Sequence, residues 1–132
     1  VDFEYVWARE YGPESNKPHF HLLLLFNGNT FNTLGQFLNT KESLYNRIGE
    51  SWGDALRIHV AEGARFAHFP EGAQYLIDSS NVGHVSQLFT RASYLAKVTT
   101  KNFHDGFHSF GGSRGGGEYL TRIALIGPQL YC

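Results

Sequence analysis

The sequence contains no methionine and one cysteine, Cys132, which is its last residue. A lone thiol cannot form an intrachain disulfide, which excludes a disulfide-stabilised secreted scaffold and makes the cytoplasm the expected compartment. No apolar run approaches the roughly 20 residues of a membrane-spanning helix, and no basic-then-apolar leader is present. We therefore expect neither membrane insertion nor secretion. Because translation starts at methionine and this sequence starts at Val1, we expect a domain of a longer protein.

The sequence also lacks a strong charge of either sign, with 11 Lys and Arg against 12 Asp and Glu and a net charge of −1. Domains that bind duplex DNA tightly are usually basic, so this balance argues against that class. The charge is unevenly distributed. Residues 1–90 carry 6 basic and 10 acidic side chains, or −4, whereas residues 91–132 carry 5 basic and 2 acidic, or +3. A polyanionic partner is expected to approach the C-terminal part.

A length of 132 residues with 42% hydrophobic side chains predicts one compact domain over residues 1–132. Asp2 to Glu10 is rich in β-branched and aromatic residues and predicts a strand. Turn-forming residues fill Tyr11 to Pro18. His19 to Asn27 is apolar on both alternating faces, which predicts a central strand covered on both sides.

Apolar residues recur with helical spacing from Leu34 to Leu56, and again over Val85–Val98. The second stripe, expected to face the core, is Val85, Leu88, Phe89, Ala92, Leu95 and Ala96. Short strands are predicted at Arg57–Glu62 and Ala64–Phe69, and Leu120–Ile126 fits either a strand or a helix. Strands interleaved with two helices predict an α+β fold, a mainly antiparallel sheet with helices packed on it.

His19 and His21 form the pattern His-Phe-His at the start of the second strand. Residues two apart on a strand share a face, with Cα atoms roughly 6–7 Å apart, so both imidazoles can reach one metal ion. Glu10 lies near them if the two strands form a hairpin. A set of two histidines and a carboxylate suits Mn²⁺, Mg²⁺ or a similar divalent ion acting on phosphate. The alternatives are ordinary strand histidines and an acid paired with Arg9 or Lys17.

Tyr94 and Lys97 lie on the side of the second helix opposite its apolar stripe, so core packing does not explain them. A tyrosine oxygen is a poor nucleophile unless a cation stabilises its developing charge, which Lys97 or a metal ion can provide. A metal site and a placed tyrosine together meet the needs of attack on a phosphodiester. The alternative is a half-exposed surface tyrosine.

These motifs resemble those of the HUH endonucleases, the His-hydrophobic-His proteins that initiate rolling-circle replication, and most of all the replication proteins of filamentous phages and their prophage relatives. The matching segments are His19-Phe20-His21, Tyr94-Leu95-Ala96-Lys97, Trp7-Ala8-Arg9-Glu10, Ala67-His68-Phe69-Pro70 and Ser109-Phe110-Gly111-Gly112-Ser113. The resemblance extends from about residue 5 to about residue 115.

The resemblance implies a five-stranded antiparallel sheet with packed helices, similar to an RRM-like or ferredoxin-like palm. It implies that His19 and His21 bind the metal, with Glu10 as third ligand, that Tyr94 is the nucleophile, and that Lys97 positions phosphate or metal. The expected substrate is single-stranded or hairpin DNA at a replication origin, and a host replication helicase is a further expected partner. Positions 90 and 98 are Thr and Val, so the chemistry uses one tyrosine or takes a second from another subunit.

The basic, glycine-rich C-terminal part supplies the candidates for DNA contact. Aromatic side chains beside glycines and arginine suit base stacking and phosphate contact. The candidates are Arg91, Lys101, Phe110, Ser113 and Arg114. The alternative is phenylalanines in the core beside a glycine turn.

The predicted function is metal-dependent nicking and strand transfer of single-stranded DNA through a covalent 5′-phosphotyrosine. The alternatives are a transposase or relaxase with the same chemistry, a non-catalytic origin-binding or single-strand-binding module, and a metal-dependent hydrolase that uses water.

Overall fold

The computed structural model describes residues 3–11, 17–29, 44–59, 62, 64–95, 106–114 and 122–131. Lys97, Lys101 and residues 34–43 of the first predicted helix lie outside the described residues. The elements, in chain order, are β1 Phe3–Tyr11, β2 Pro18–Asn27, α1 Leu44–Leu56, a single 3₁₀ turn Ala64–Phe66, β3 Ala67–His68, β4 Gln74–Asp78, α2 Val82–Leu95, β5 Phe110–Gly112, β6 Arg122–Ile126 and β7 Gln129–Tyr131.

The seven described strands form one antiparallel sheet that is five rows wide. β5 pairs with β1 and β1 pairs with β2. β6 and β7 follow each other along the other edge of β2 in an unbroken register, so together they make the fourth row. β4 and β3 pair with the outer edges of β6 and β7 and make the fifth row. The predicted α+β fold with a five-stranded antiparallel sheet is confirmed.

Residues 69–73 project from the outer row, because five residues of the β3–β4 connection stand opposite only two residues between β6 and β7. A turn closes this loop, with the Ala73 amide donating to the Pro70 carbonyl at 3.0 Å. Gly72 takes the third position of the turn with φ +71°, which side chains with a Cβ rarely adopt. The loop stands beside the C-terminal half of α2, where Arg91 donates to the Gly72 carbonyl at 3.0 Å.

The two helices lie on opposite faces of the sheet, because β2 is apolar on both of its alternating sides. Leu23 packs with Ala8 and with Leu95 of α2 in one buried cluster. On the other face, Leu24 and Phe26 pack with Ile48 of α1. The central position of β2 is thereby confirmed, as is its coverage on both sides.

Two of the secondary-structure predictions are corrected. The strand predicted at Arg57–Glu62 is wrong, because described residues 57–59 form a turn and bend and Glu62 is helical. Arg57 itself has φ +58°, a conformation that no regular strand contains. Of the strand predicted at Ala64–Phe69, only Ala67–His68 pairs. The segment left open at Leu120–Ile126 is a strand from Arg122.

Helix α2 begins three residues earlier than predicted, at Val82. Asn81 caps it, since its side-chain oxygen accepts from the His84 amide at 3.1 Å. The predicted apolar stripe is only partly correct: Leu88, Ala92 and Leu95 contact the core, whereas Phe89 is 73% exposed. No helix in the described part of the chain combines the length and the apolar character that crossing a bilayer demands.

Candidate functional site

The β1–β2 hairpin brings both predicted histidines and the predicted carboxylate together. Glu10 pairs directly with His19 across the two strands, and His21 lies two residues further along the same face. The Glu10 carboxylate lies 3.1 Å from His21 Nε2 and 4.0 Å from His19 Nε2. One donor atom from each residue falls within 4.8 Å of the other two. These three residues could hold a metal ion, and we refer to them as the Glu-His-His cluster.

The spacing of the donor atoms fits a divalent cation. Nitrogen and oxygen ligands of such ions lie roughly 2.0–2.2 Å from the metal, which puts neighbouring ligands about 3 Å apart in an octahedral site. The distance of 3.1 Å between Glu10 and His21 matches that value, and the 4.0 Å distance between Glu10 and His19 exceeds it by about 1 Å. Transition metals favour imidazole ligands, and harder ions favour carboxylates.

Glu10 is the most buried member of the cluster, and the two histidines are more exposed. The Glu10 side chain is 7% exposed, whereas those of His19 and His21 are 19% and 22% exposed. Burying a carboxylate is costly unless it is paired, and the imidazole nitrogens of His19 and His21 lie close enough to Glu10 to contribute. The cluster therefore faces solvent through its two histidines.

The His19 ring is held by the last strand. It stacks on the Tyr131 ring, with centroids 5.5 Å apart and an interplanar angle of 21°. The Tyr131 carbonyl in turn accepts from the Trp52 indole at 2.6 Å, which ties this strand to α1. Trp52 also packs edge-on against the Phe20 ring, and its hydrogen bond restrains the strand that orients His19.

Tyr94 lies on the last turn of α2 and is 64% exposed, as its position away from the apolar stripe predicted. The next residue, Leu95, is 6% exposed and packs with Ala8 and Leu23 on the cluster-bearing face of the sheet. That contact fixes the end of α2 above β2. Lys97 lies outside the described residues, so its predicted role stays a prediction.

A cavity of about 360 Å³ joins the two predicted halves of the site. His21 of the Glu-His-His cluster and Tyr94 both line it. Thr90, Arg91 and Gln129 add polar groups to an otherwise apolar lining. We call this space the Tyr94 cavity. Its size is in the range of small-molecule sites.

Arg91 was predicted to contact DNA, and it lines the Tyr94 cavity half-buried. Its guanidinium donates to the Gly72 carbonyl, so part of its hydrogen-bonding capacity fixes the loop of residues 69–73 against α2.

Three of the remaining predicted DNA contacts, Phe110, Ser113 and Arg114, lie on or just after β5, which is an edge strand of the sheet. Phe110 pairs with Ala8, which pairs with His21, so its ring lies on the same face as the cluster and is 47% exposed. The Ser113 hydroxyl is already bonded to Glu4 and to the Tyr5 amide, and therefore anchors the end of β5. Arg114 is exposed. Lys101 lies outside the described residues.

Two polar residues of β7 were not predicted. Gln129 is the direct partner of His21, and Tyr131 is the direct partner of His19. Their alternation in Gln129-Leu130-Tyr131 is a strand pattern, but three residues after a proline are too few to identify a strand from sequence.

Comparison with known proteins shows that residues 1–113 match the family described as the YagK/YfjJ C-terminal domain. Two Escherichia coli K12 proteins are similar: the uncharacterized protein YagK is 36% identical over 112 residues, and the uncharacterized protein YfjJ is 33% identical over 114 residues. These alignments cover 83% and 84% of the chain but 53% and 54% of the relatives, so the chain spans about half of their length. No solved structure matches the chain. The chain belongs to the YagK/YfjJ C-terminal domain family.

Proposed function

We propose that the domain nicks single-stranded or hairpin DNA and transfers the cut strand, with Tyr94 as nucleophile and a divalent ion at the Glu-His-His cluster. The observation that carries this proposal is the Tyr94 cavity, which is lined by a cluster residue, His21, and by the exposed tyrosine. A phosphodiester in that cavity would lie between a cation and a hydroxyl, as in-line attack requires.

The chemistry follows from the groups that line the cavity. The Tyr94 hydroxyl oxygen attacks the phosphorus, the bond from phosphorus to the 3′-oxygen breaks, and the 3′-oxygen leaves as a hydroxyl after taking up a proton. The tyrosine loses its own proton, and the product is a 5′-phosphotyrosine that keeps the energy of the broken bond and allows later rejoining. A divalent ion, when bound, polarises a non-bridging phosphate oxygen, with Mn²⁺ better matched than Mg²⁺ to two imidazoles.

The resemblance to HUH endonucleases supports this proposal through the order and spacing of the motifs. It implies initiation of rolling-circle replication at an origin, with a host helicase as partner. Only one tyrosine lines the cavity among the described residues, so the rejoining step uses Tyr94 again or a tyrosine from a second subunit. A transposase or relaxase with the same site would recognise a different DNA substrate, but its first step would be the same attack by the tyrosine.

The experiment is incubation of the domain with a pool of labelled single-stranded oligonucleotides and Mn²⁺, followed by a denaturing gel. We expect a shifted protein band with wild type, none without metal, and none with Tyr94→Phe. Tyr5→Phe is the matched control, because Tyr5 lies on the opposite face of the sheet and is 38% exposed. Cleavage that persists in Tyr94→Phe would indicate a water-using hydrolase, and binding without any cleavage would indicate a non-catalytic module.

A further inference from the structure

Gln129 is the direct neighbour of the Glu-His-His cluster on the side away from Glu10. Its cross-strand partner on β2 is His21, and Ala8 of β1 is the next partner in the same row. Cross-strand partners in an antiparallel sheet point to the same face, so the side chains of Gln129 and His21 share a face. Gln129 is half-buried and lines the Tyr94 cavity together with His21 and Tyr94.

The carboxamide of Gln129 is held by its own strand. The Tyr131 hydroxyl donates to its Oε1 at 2.9 Å. The ring of that tyrosine also stacks on His19. One tyrosine therefore fixes both a member of the cluster and the neighbouring carboxamide. In the described part of the chain, no residue accepts a hydrogen bond from the Gln129 nitrogen.

We propose that Gln129 is a substrate-contacting residue whose carboxamide N–H donates to a non-bridging oxygen of the DNA phosphate between the cluster and Tyr94. The ligand class is a phosphodiester of single-stranded DNA, and this inference rests on the proposed function. An amide donor suits this position because a phosphate oxygen is a charged acceptor, and hydrogen bonds to charged groups are the stronger ones. A neutral donor also leaves the charge of the neighbouring metal site unchanged.

The test separates substrate contact from metal binding. In a Tyr94→Phe background, which prevents cleavage, the affinity for a fluorescein-labelled single-stranded oligonucleotide is measured by anisotropy in Mn²⁺. Gln129→Met keeps the length of the side chain and removes the carboxamide, and we expect about 10-fold weaker binding or more. The affinity for Mn²⁺ alone, measured by calorimetry, is expected to stay as in the parent. Gln87→Met, an exposed glutamine on α2, is the matched control and should leave both affinities unchanged.

In the protein with Tyr94 intact, Gln129→Met should slow adduct formation about 10- to 100-fold. Tyr131→Phe should slow it less, because the ring that stacks on His19 remains. Oligonucleotide affinity unchanged by Gln129→Met would overturn the inference while leaving the proposed function intact. A matching loss of Mn²⁺ affinity would also overturn it, since the carboxamide would then be a metal ligand. If wild type forms no adduct, the proposed function fails, and the anisotropy result still decides the role of Gln129 in DNA binding.

Discussion

Replacing Glu10 by Gln tests whether the buried carboxylate is a metal ligand. The substitution keeps shape and hydrogen-bonding atoms and removes one negative charge. An ion with two positive charges lies roughly 2.2 Å from a ligating oxygen, and even with the dielectric constant of water the attraction of the two charges is about 4 kcal/mol. A glutamine oxygen recovers part of that through its dipole, so we expect binding of Mn²⁺ to weaken about 100-fold.

The assay is thermal unfolding with and without Mn²⁺. At a concentration 100 times the Kd of wild type, bound metal stabilises the fold by about 2.7 kcal/mol, which raises Tm by roughly 10 °C in a domain of this size. A 100-fold weaker site retains about 0.4 kcal/mol at the same concentration, or roughly 1–2 °C. Glu50→Gln, an exposed glutamate on α1, is the control and should retain the full shift. An equal shift in Glu10→Gln and wild type would refute the assignment of Glu10 as a ligand.

Three further predictions concern the framework that holds the site. Leu95→Ala should lower the free energy of unfolding by about 2–4 kcal/mol in urea titrations, because Leu95 is 6% exposed in the core beside Tyr94; a loss below about 1 kcal/mol would contradict that packing. Asn81→Ala should cost about 1 kcal/mol by the same method, because it removes the cap of α2, and Asn81→Asp should restore most of it. Gly111→Ala should cost about 1–3 kcal/mol, because a Cβ there meets the Trp7 indole at 2.8 Å; Trp7→Leu in the same chain should recover part of the loss, and no recovery would contradict the clash.

The sequence was most informative where side-chain periodicity determines the geometry. Two histidines on alternate positions of a strand must share a face, so His19 and His21 could be assigned to one site before the hairpin register was known. Whether Glu10 joins the two histidines depended on the register of the hairpin, and in the structure Glu10 pairs with His19. The exposure of Tyr94 followed from helical periodicity in the same way.

Features that depend on tertiary packing could not be predicted. β5 is only Phe-Gly-Gly and β7 only Gln-Leu-Tyr, and such short segments pair because longer strands already offer open edges. Gln129 was missed for this reason, since its place beside His21 exists only through the pairing of β7 with β2. Phe89 was predicted to be buried because it is apolar, yet no described element covers its side of α2 and it is 73% exposed.

The measurement that tests the central claim most directly is the mapping of a covalent DNA adduct by mass spectrometry. Wild-type domain is incubated with single-stranded oligonucleotides and Mn²⁺, digested with a protease and a nuclease, and searched for peptides that carry a nucleotide phosphate. The account predicts that the modification lies on the tyrosine of the peptide that contains Tyr94 and requires the metal. A nucleotide phosphate on any other residue, or the same adduct in Tyr94→Phe, would contradict it.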